Sequence, residues 1–223
     1  MGCLGPNSTQ TDEIEDASHL HSNEEIPEFE GITRFCTELI YEINKVRNKP
    51  SSYSEIISKN KSNFNGLIFK TPNSKYNDKT KEGVAAYEEA EQFLKNYKES
   101  QNELMPSSGL FKIAQGFLKE FKNYKIDKVD NIDIKKIIDK CGRYSGNLYK
   151  LIVCGGEEPE SVVSNLIVCD GDQNREQRNK LFDKTFKKIG IAHGEHPIYK
   201  YASIFILSTD FDNINDQDDE LDI

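Results

Sequence analysis

The sequence predicts an α+β fold, and three observations carry that expectation. Segments with helical apolar spacing come mostly early in the chain, and segments with strand character come mostly late. The connections around the late strands are short enough for antiparallel pairing. The 223 residues are 36% hydrophobic and 10% aromatic, enough for one domain core with tails, yet no run approaches the ~18 apolar residues of a membrane span.

The elements follow in chain order. Ile32 to Arg47 carries Phe35, Leu39, Ile43 and Val46 on one helical face and is stopped by Pro50. Ser54 to Lys59 reads as a short helix, and residues 60–80, rich in Asn, Ser and Lys, as a loop. Gly83 to Tyr97 has a helical stripe of Val84, Tyr87, Ala90, Leu94 and Tyr97. Ser107 or Ser108 is placed to cap a helix in which Leu110, Ile113, Ala114, Phe117, Leu118 and Phe121 keep three-four spacing. Asp133 to Cys141 is a short helix with Ile134, Ile137 and Ile138 inward and Gly142 at its end. Leu148 to Cys154 reads as a strand closed by Gly155-Gly156, and Pro159 suits the first turn of a helix carrying Val162, Val163, Leu166 and Ile167. After an Asp170-Gly171 turn, Asn174 to Phe182 is a polar helix or loop. Two strands, Phe186–Ala192 and Tyr199–Leu207, are joined through Gly194-Glu-His-Pro197. Together these elements predict helices packed on a small antiparallel sheet.

Charge divides the chain into three parts. Residues 1–30 carry eight acids and no Lys or Arg, and residues 210–223 carry seven acids and no base, so residues 31–209 hold 23 acids against 29 bases. The expected organisation is an acidic, intrinsically disordered N-terminal tail (1–30), a folded domain (31–209) and an acidic C-terminal tail (210–223). Such tails serve solubility and screening, or dock onto a basic partner. The lysines of the domain are scattered and no nucleic-acid motif is present, so nucleic acid is not an expected partner.

Chemistry-bearing residues are sparse. Five cysteines lie scattered with no CxxC pair, and no signal segment is evident at the N-terminus, which points to reduced thiols rather than a disulfide framework or a zinc site, and to a protein that is not secreted. Of four histidines, His19 and His21 fall in the acidic tail, and His193 and His196 flank the last turn, where a structural hydrogen bond is the expected role. Asp170-Gly-Asp172-Gln-Asn174 offers alternating oxygens, but Arg175 and Leu181 stand where a calcium loop needs Gly and Glu. There is no GxxxxGK[ST], GxGxxG or GxSxG. Met1-Gly2-Cys3 opens like a dual acylation signal, with Gly2 and Cys3 as the lipid-anchor residues and Pro6 where Ser or Thr is preferred.

From Ile32 to Phe211 the chain resembles the CAP superfamily, the SCP domain of cysteine-rich secretory, antigen 5 and pathogenesis-related-1 proteins, in its cysteine-poor intracellular branch. The resemblance rests on Ile43-Asn44-Lys-Val-Arg47-Asn-Lys-Pro50, on Lys81-Glu-Gly83 with the helix after it, on Leu110-Phe-Lys-Ile-Ala114, and on Asp170-Gly171 to Arg178. It continues in Phe186-Lys-Lys-Ile-Gly190-Ile191 and Gly194-Glu-His196-Pro-Ile-Tyr199. It implies an α-β-α sandwich with a three-stranded antiparallel sheet between helical layers. It also implies a polar centre of two histidines and acidic residues, which this chain departs from. Gln177 stands in place of one histidine and Phe117 in place of another. The segment that supplies a glutamate falls on Ser145-Gly146-Asn147-Leu148 or on Lys150-Leu151-Ile152, neither of which contains one. An amide, a phenyl ring and an ammonium do not replace imidazole and carboxylate as metal ligands or as a base. The resemblance therefore implies a degenerate domain with no catalytic residues, no metal and no cofactor, in which Gln177, Arg178 and His196 line a residual cleft.

The function expected on these grounds is a non-catalytic intracellular interaction or structural module in a larger protein assembly, with the acidic tails reaching protein partners. Two alternatives stay open: a peripheral membrane protein acylated at Gly2 and Cys3 that binds lipid or sterol, and a hydrolase with a site that its motifs do not reveal.

Overall fold

The computed structural model describes residues 32–70, 77–99 and 101–214. Helix α1 (Arg34–Asn48) starts where the Thr33 hydroxyl accepts the Cys36 N–H at 3.3 Å, and it buries Cys36, Leu39, Ile40, Ile43 and Val46. Pro50 opens α2 (Pro50–Asn60) as its first residue, where a missing N–H costs nothing. Helices α3 (Val84–Asn96) and α4 (Ser108–Phe121) follow the apolar stripes of the sequence. The short α5 (Ile134–Ile138) is capped by Asp133, whose carboxylate accepts the Lys136 N–H. Helix α6 (Pro159–Val168) begins on proline, and α7 (Glu176–Leu181) is one polar turn and a half.

Seven strands are present among the described residues. β1 (Phe64–Asn65), β2 (Ile68–Lys70) and β3 (Asn77–Lys79) make a small antiparallel sheet inside the stretch expected to be a loop. These strands are only two or three residues long and mostly exposed, so no period-2 pattern marks them. Phe69, stacked on Tyr87 of α3, anchors the sheet. The main sheet has the order β4 (Met105–Pro106), β6 (Lys188–His196), β7 (Lys200–Asn213) and β5 (Gly142–Cys154). Its three long strands are antiparallel, as expected; β4 adds a two-residue parallel edge beside Lys188 and Ile189.

The sheet is covered on both faces, which makes the α-β-α sandwich. Leu151, Val153, Ile189, Ile191, Phe205 and Leu207 face α1, α2, α3 and α6, while Ala192, Ala202, Ile204 and Ile206 face α4 and α5. The closest approach is between α4 and β6. A Cβ on Gly190 would stand 2.1 Å from the Leu110 carbonyl carbon, so only glycine lets the helix backbone rest on the strand there.

Two boundaries differ from the sequence reading. The strands are longer, because β5 and β7 pair on as a ribbon from Gly142 to Ser145 against Asp210 to Asn213. The C-terminal tail therefore does not begin at residue 210. Phe211 is buried beside Gly109 and Gly142 at positions a Cβ would occupy, and the Asn213 side chain accepts from the Gly109 N–H and the Ser107 hydroxyl, both at 2.9 Å. Helix α4 is thus capped by a distant strand residue rather than by Ser107 or Ser108. Residues 1–30 and 215–223, with Gly2 and Cys3, lie outside the described residues.

Replacing Gly190 by Ala overpacks the α4–β6 contact and should cost about 1–3 kcal/mol or more of unfolding free energy, measured by urea denaturation.

Candidate functional site

The three residues expected to line a cleft do not meet. Gln177 on α7 turns to the outer edge of β5, where its Oε1 accepts the Ile152 N–H at 2.7 Å and blocks that edge from further pairing. Arg178 is buried on the α3 face of the sheet, with its guanidinium over the Phe93 ring at 4.3 Å and its nitrogens on both Glu89 oxygens at 2.6 and 2.9 Å. His196 ends β6 on the opposite face, packed on Phe121 and buried. Its Nδ1 accepts the N–H groups of Ile198 and Tyr199, so its proton sits on Nε2, which donates to the Phe121 carbonyl at 3.1 Å. That ring closes the turn before β7 and caps the end of α4.

The other polar residues of the signature segments are likewise engaged. Asp170 accepts the N–H groups of Lys81 and Glu82 at 2.6 and 2.8 Å, and the Gly171 N–H donates back to Glu82. Arg175 forks onto both oxygens of Glu82 at 2.6 and 2.7 Å and reaches Glu89 at 3.2 Å. Asp172 accepts the N–H groups of Asn174 and Glu176, so the would-be calcium oxygens serve as backbone acceptors. The hydrogen bond from Arg175, opposed by burial, holds the Glu82 carboxyl down to about 2. Among the described residues no group of three His, Cys, Asp or Glu is placed to hold a metal ion, and no helix is long and apolar enough to cross a membrane.

Polar groups gather around two openings, one lined by Glu38, Glu42, Glu158 and Glu160 and the other at the edge of β6. A cleft of roughly 170 Å³ lies between the start of α1, the outer side of α4 and the stretch of β6 past the end of β4. Thr33, Cys36, Gln115, Lys119, Lys122 and His193 line it over an apolar floor of Leu118, Ile191 and Ala192. His193 lies within strand β6 rather than in the turn. Its ring stacks on Phe35 at 4.0 Å and its Nδ1 meets the Ser203 hydroxyl at 2.9 Å. This resembles the pieces of a nucleophilic site without its electrostatics. Burial pushes the Cys36 thiol up and the His193 imidazolium down, the reverse of a thiolate–imidazolium pair. Ser203 is fully buried, and no carboxylate orients His193 among the described residues. The sequence hint to this cleft is the polar stripe Lys112, Gln115, Lys119 and Lys122 along an otherwise apolar helix; what it faces is set by residues some eighty positions away on either side.

No family model, curated protein or solved structure matches the chain.

Because Glu82 is held below its ordinary value, its contribution to stability is complete above the ordinary carboxylate range and is lost as pH falls through about 2. Urea unfolding between pH 6 and pH 2 should show stability falling below about pH 4.5. Glu82→Gln should be less stable at pH 6 and lose less on acidification. It should keep the part due to Glu91, which Lys61 and Lys95 hold down to about 2.

Proposed function

We propose that the chain is a degenerate, non-catalytic CAP-superfamily domain that serves as an interaction or structural module in a larger intracellular protein assembly. The observation that carries this reading is Lys150. Its ammonium stands 4.6 Å over the ring of Phe117, on the α4 face of the sheet, and 3.6 Å from the Asp130 carboxylate. Phe117 is where the resemblance puts a histidine, and Lys150-Leu151-Ile152 is one of the two segments where it puts a glutamate, the other being Ser145-Gly146-Asn147-Leu148. An ammonium there repels a divalent cation and is not a metal ligand.

Three further observations support the reading. The three-layer architecture is the one the resemblance implies. Gln177, Arg178 and His196 are each held by backbone or ion-pair partners inside the domain. The described thiols Cys36, Cys141, Cys154 and Cys169 are unpaired, as suits a reducing compartment.

The test is one gentle purification of the endogenous protein, read for native size and for N-terminal mass. Elution as a stable particle much larger than one chain, with no acyl mass on its N-terminus, is the expected result. A monomer whose N-terminal peptide carries myristoyl on Gly2 and palmitoyl on Cys3 contradicts it and favours a membrane-bound lipid-binding protein.

A further inference from the structure

The cleft between α1, α4 and β6 has three properties that specify an occupant. Its rim is basic: Lys119 and Lys122 stand on successive turns of α4, have no ion-pair partner among the described residues, and share the rim with no acidic side chain. Its floor is apolar, made by Leu118, Ile191 and Ala192. Its third side is the edge of β6 beyond Ile189, where no described strand pairs with it. A ligand for this place is an extended segment that alternates acidic and apolar side chains.

The chain itself supplies such a segment just ahead of Thr33 in sequence. Residues 24–31 read Glu-Glu-Ile-Pro-Glu-Phe-Glu-Gly, with Glu24, Glu25, Glu28 and Glu30 interleaved with Ile26 and Phe29 and with no basic residue. Pro27 disfavours a helix through this stretch and biases Ile26 toward extended backbone. Thr33, three residues after Glu30, is itself part of the cleft wall. At ~3.5 Å per extended residue, Glu30 lies within about 10 Å of Thr33 and Glu28 within about 18 Å. Attachment so close to the site makes the encounter intramolecular, with an effective concentration on the order of millimolar.

We infer that residues 24–30 dock in the α1–α4–β6 cleft of their own chain, their glutamates on Lys119 and Lys122 and Ile26 and Phe29 over its apolar floor. The N-terminal acidic segment is then the domain's own ligand. A basic partner that recruits this segment must first release it and uncover the cleft. The self-contact rests on charge and connectivity at this cleft, and holds whether or not the domain is a CAP-type module.

Zero-length carbodiimide coupling of the full chain at low concentration, followed by tryptic mass spectrometry, tests it. Glu91, which touches Lys61 and Lys95 at 2.5 Å, is the internal reference for coupling. Intrachain amide links from Glu24, Glu25, Glu28 or Glu30 should concentrate several-fold on Lys119 and Lys122 relative to the other exposed lysines. A second measurement reads the exposure of the same lysines: changing the four glutamates to Gln in the full chain should raise the acetylation of Lys119 and Lys122 by an amine-reactive ester several-fold. The inference is overturned if the reference pair couples while the segment couples evenly over the surface, only between chains, or not at all. It is equally overturned if Lys119 and Lys122 acetylate at the wild-type rate in the Gln variant.

Discussion

A buried guanidinium organises this domain. Arg47 is wholly buried in α1, donating to the carbonyls of Asn102 at 3.0 and 3.2 Å and to that of Leu181. Burial lowers it to about 10, so it stays charged at neutral pH, and no carboxylate touches it among the described residues. Leaving such a charge unsolvated costs on the order of several kcal/mol, so its carbonyl partners must be in place together. One turn earlier, Asn44 binds the Leu104 backbone through both its amide oxygen and its amide nitrogen, at 2.9 and 3.2 Å. This one turn of helix therefore positions the segment that becomes β4 and the end of α7.

Much else hangs on α7. With its last carbonyl held by Arg47, it lays Gln177 along the β5 edge and swings Arg178 and Arg175 onto Glu89 and Glu82. Those pairs in turn fix the turn at Asp170 and the start of α3. The polar residues of the signature segments thus form a connected frame around the apolar layers. Most donors and acceptors in it answer a backbone group or an opposite charge, and the buried Nε of Arg178 is left without a hydrogen bond. The cleft at the open edge of β6 differs, because Lys119 and Lys122 on its rim have no ion-pair partner among the described residues.

The long amphipathic helices and the centres of the main strands were legible in the sequence, because their apolar periodicity reports burial directly. What escaped is what burial does not mark. In the ribbon of Arg143–Ser145 with Asp210–Asn213 only Phe211 is buried among exposed polar residues, so its acids read as a tail, although Phe211 and Asn213 are packed against the start of α4. The small sheet in residues 64–79 rests on Phe69 alone among its buried residues, too little to show a period. For the site, the expected structural role of His196 matches its hydrogen bonds, but Gln177, Arg178 and His196 fall on separate sides of the sheet, a separation that spacing along the chain does not reveal. His193 was read as a turn residue because Gly194 looked like the strand's end, whereas β6 runs through that glycine to His196.

The proposed function requires that the polar residues of the segments carrying the resemblance hold the fold. Side chains kept for chemistry are commonly a burden on stability, and replacing them stabilises; side chains kept for structure destabilise when removed. The direct measurement is the sign of the change in unfolding free energy for Gln177→Ala, Arg178→Ala and His196→Ala. The account predicts destabilisation in all three, by about 1–3 kcal/mol each as buried partners lose their hydrogen bonds. Unchanged or increased stability in any of them would contradict it and mark that residue as one kept for function.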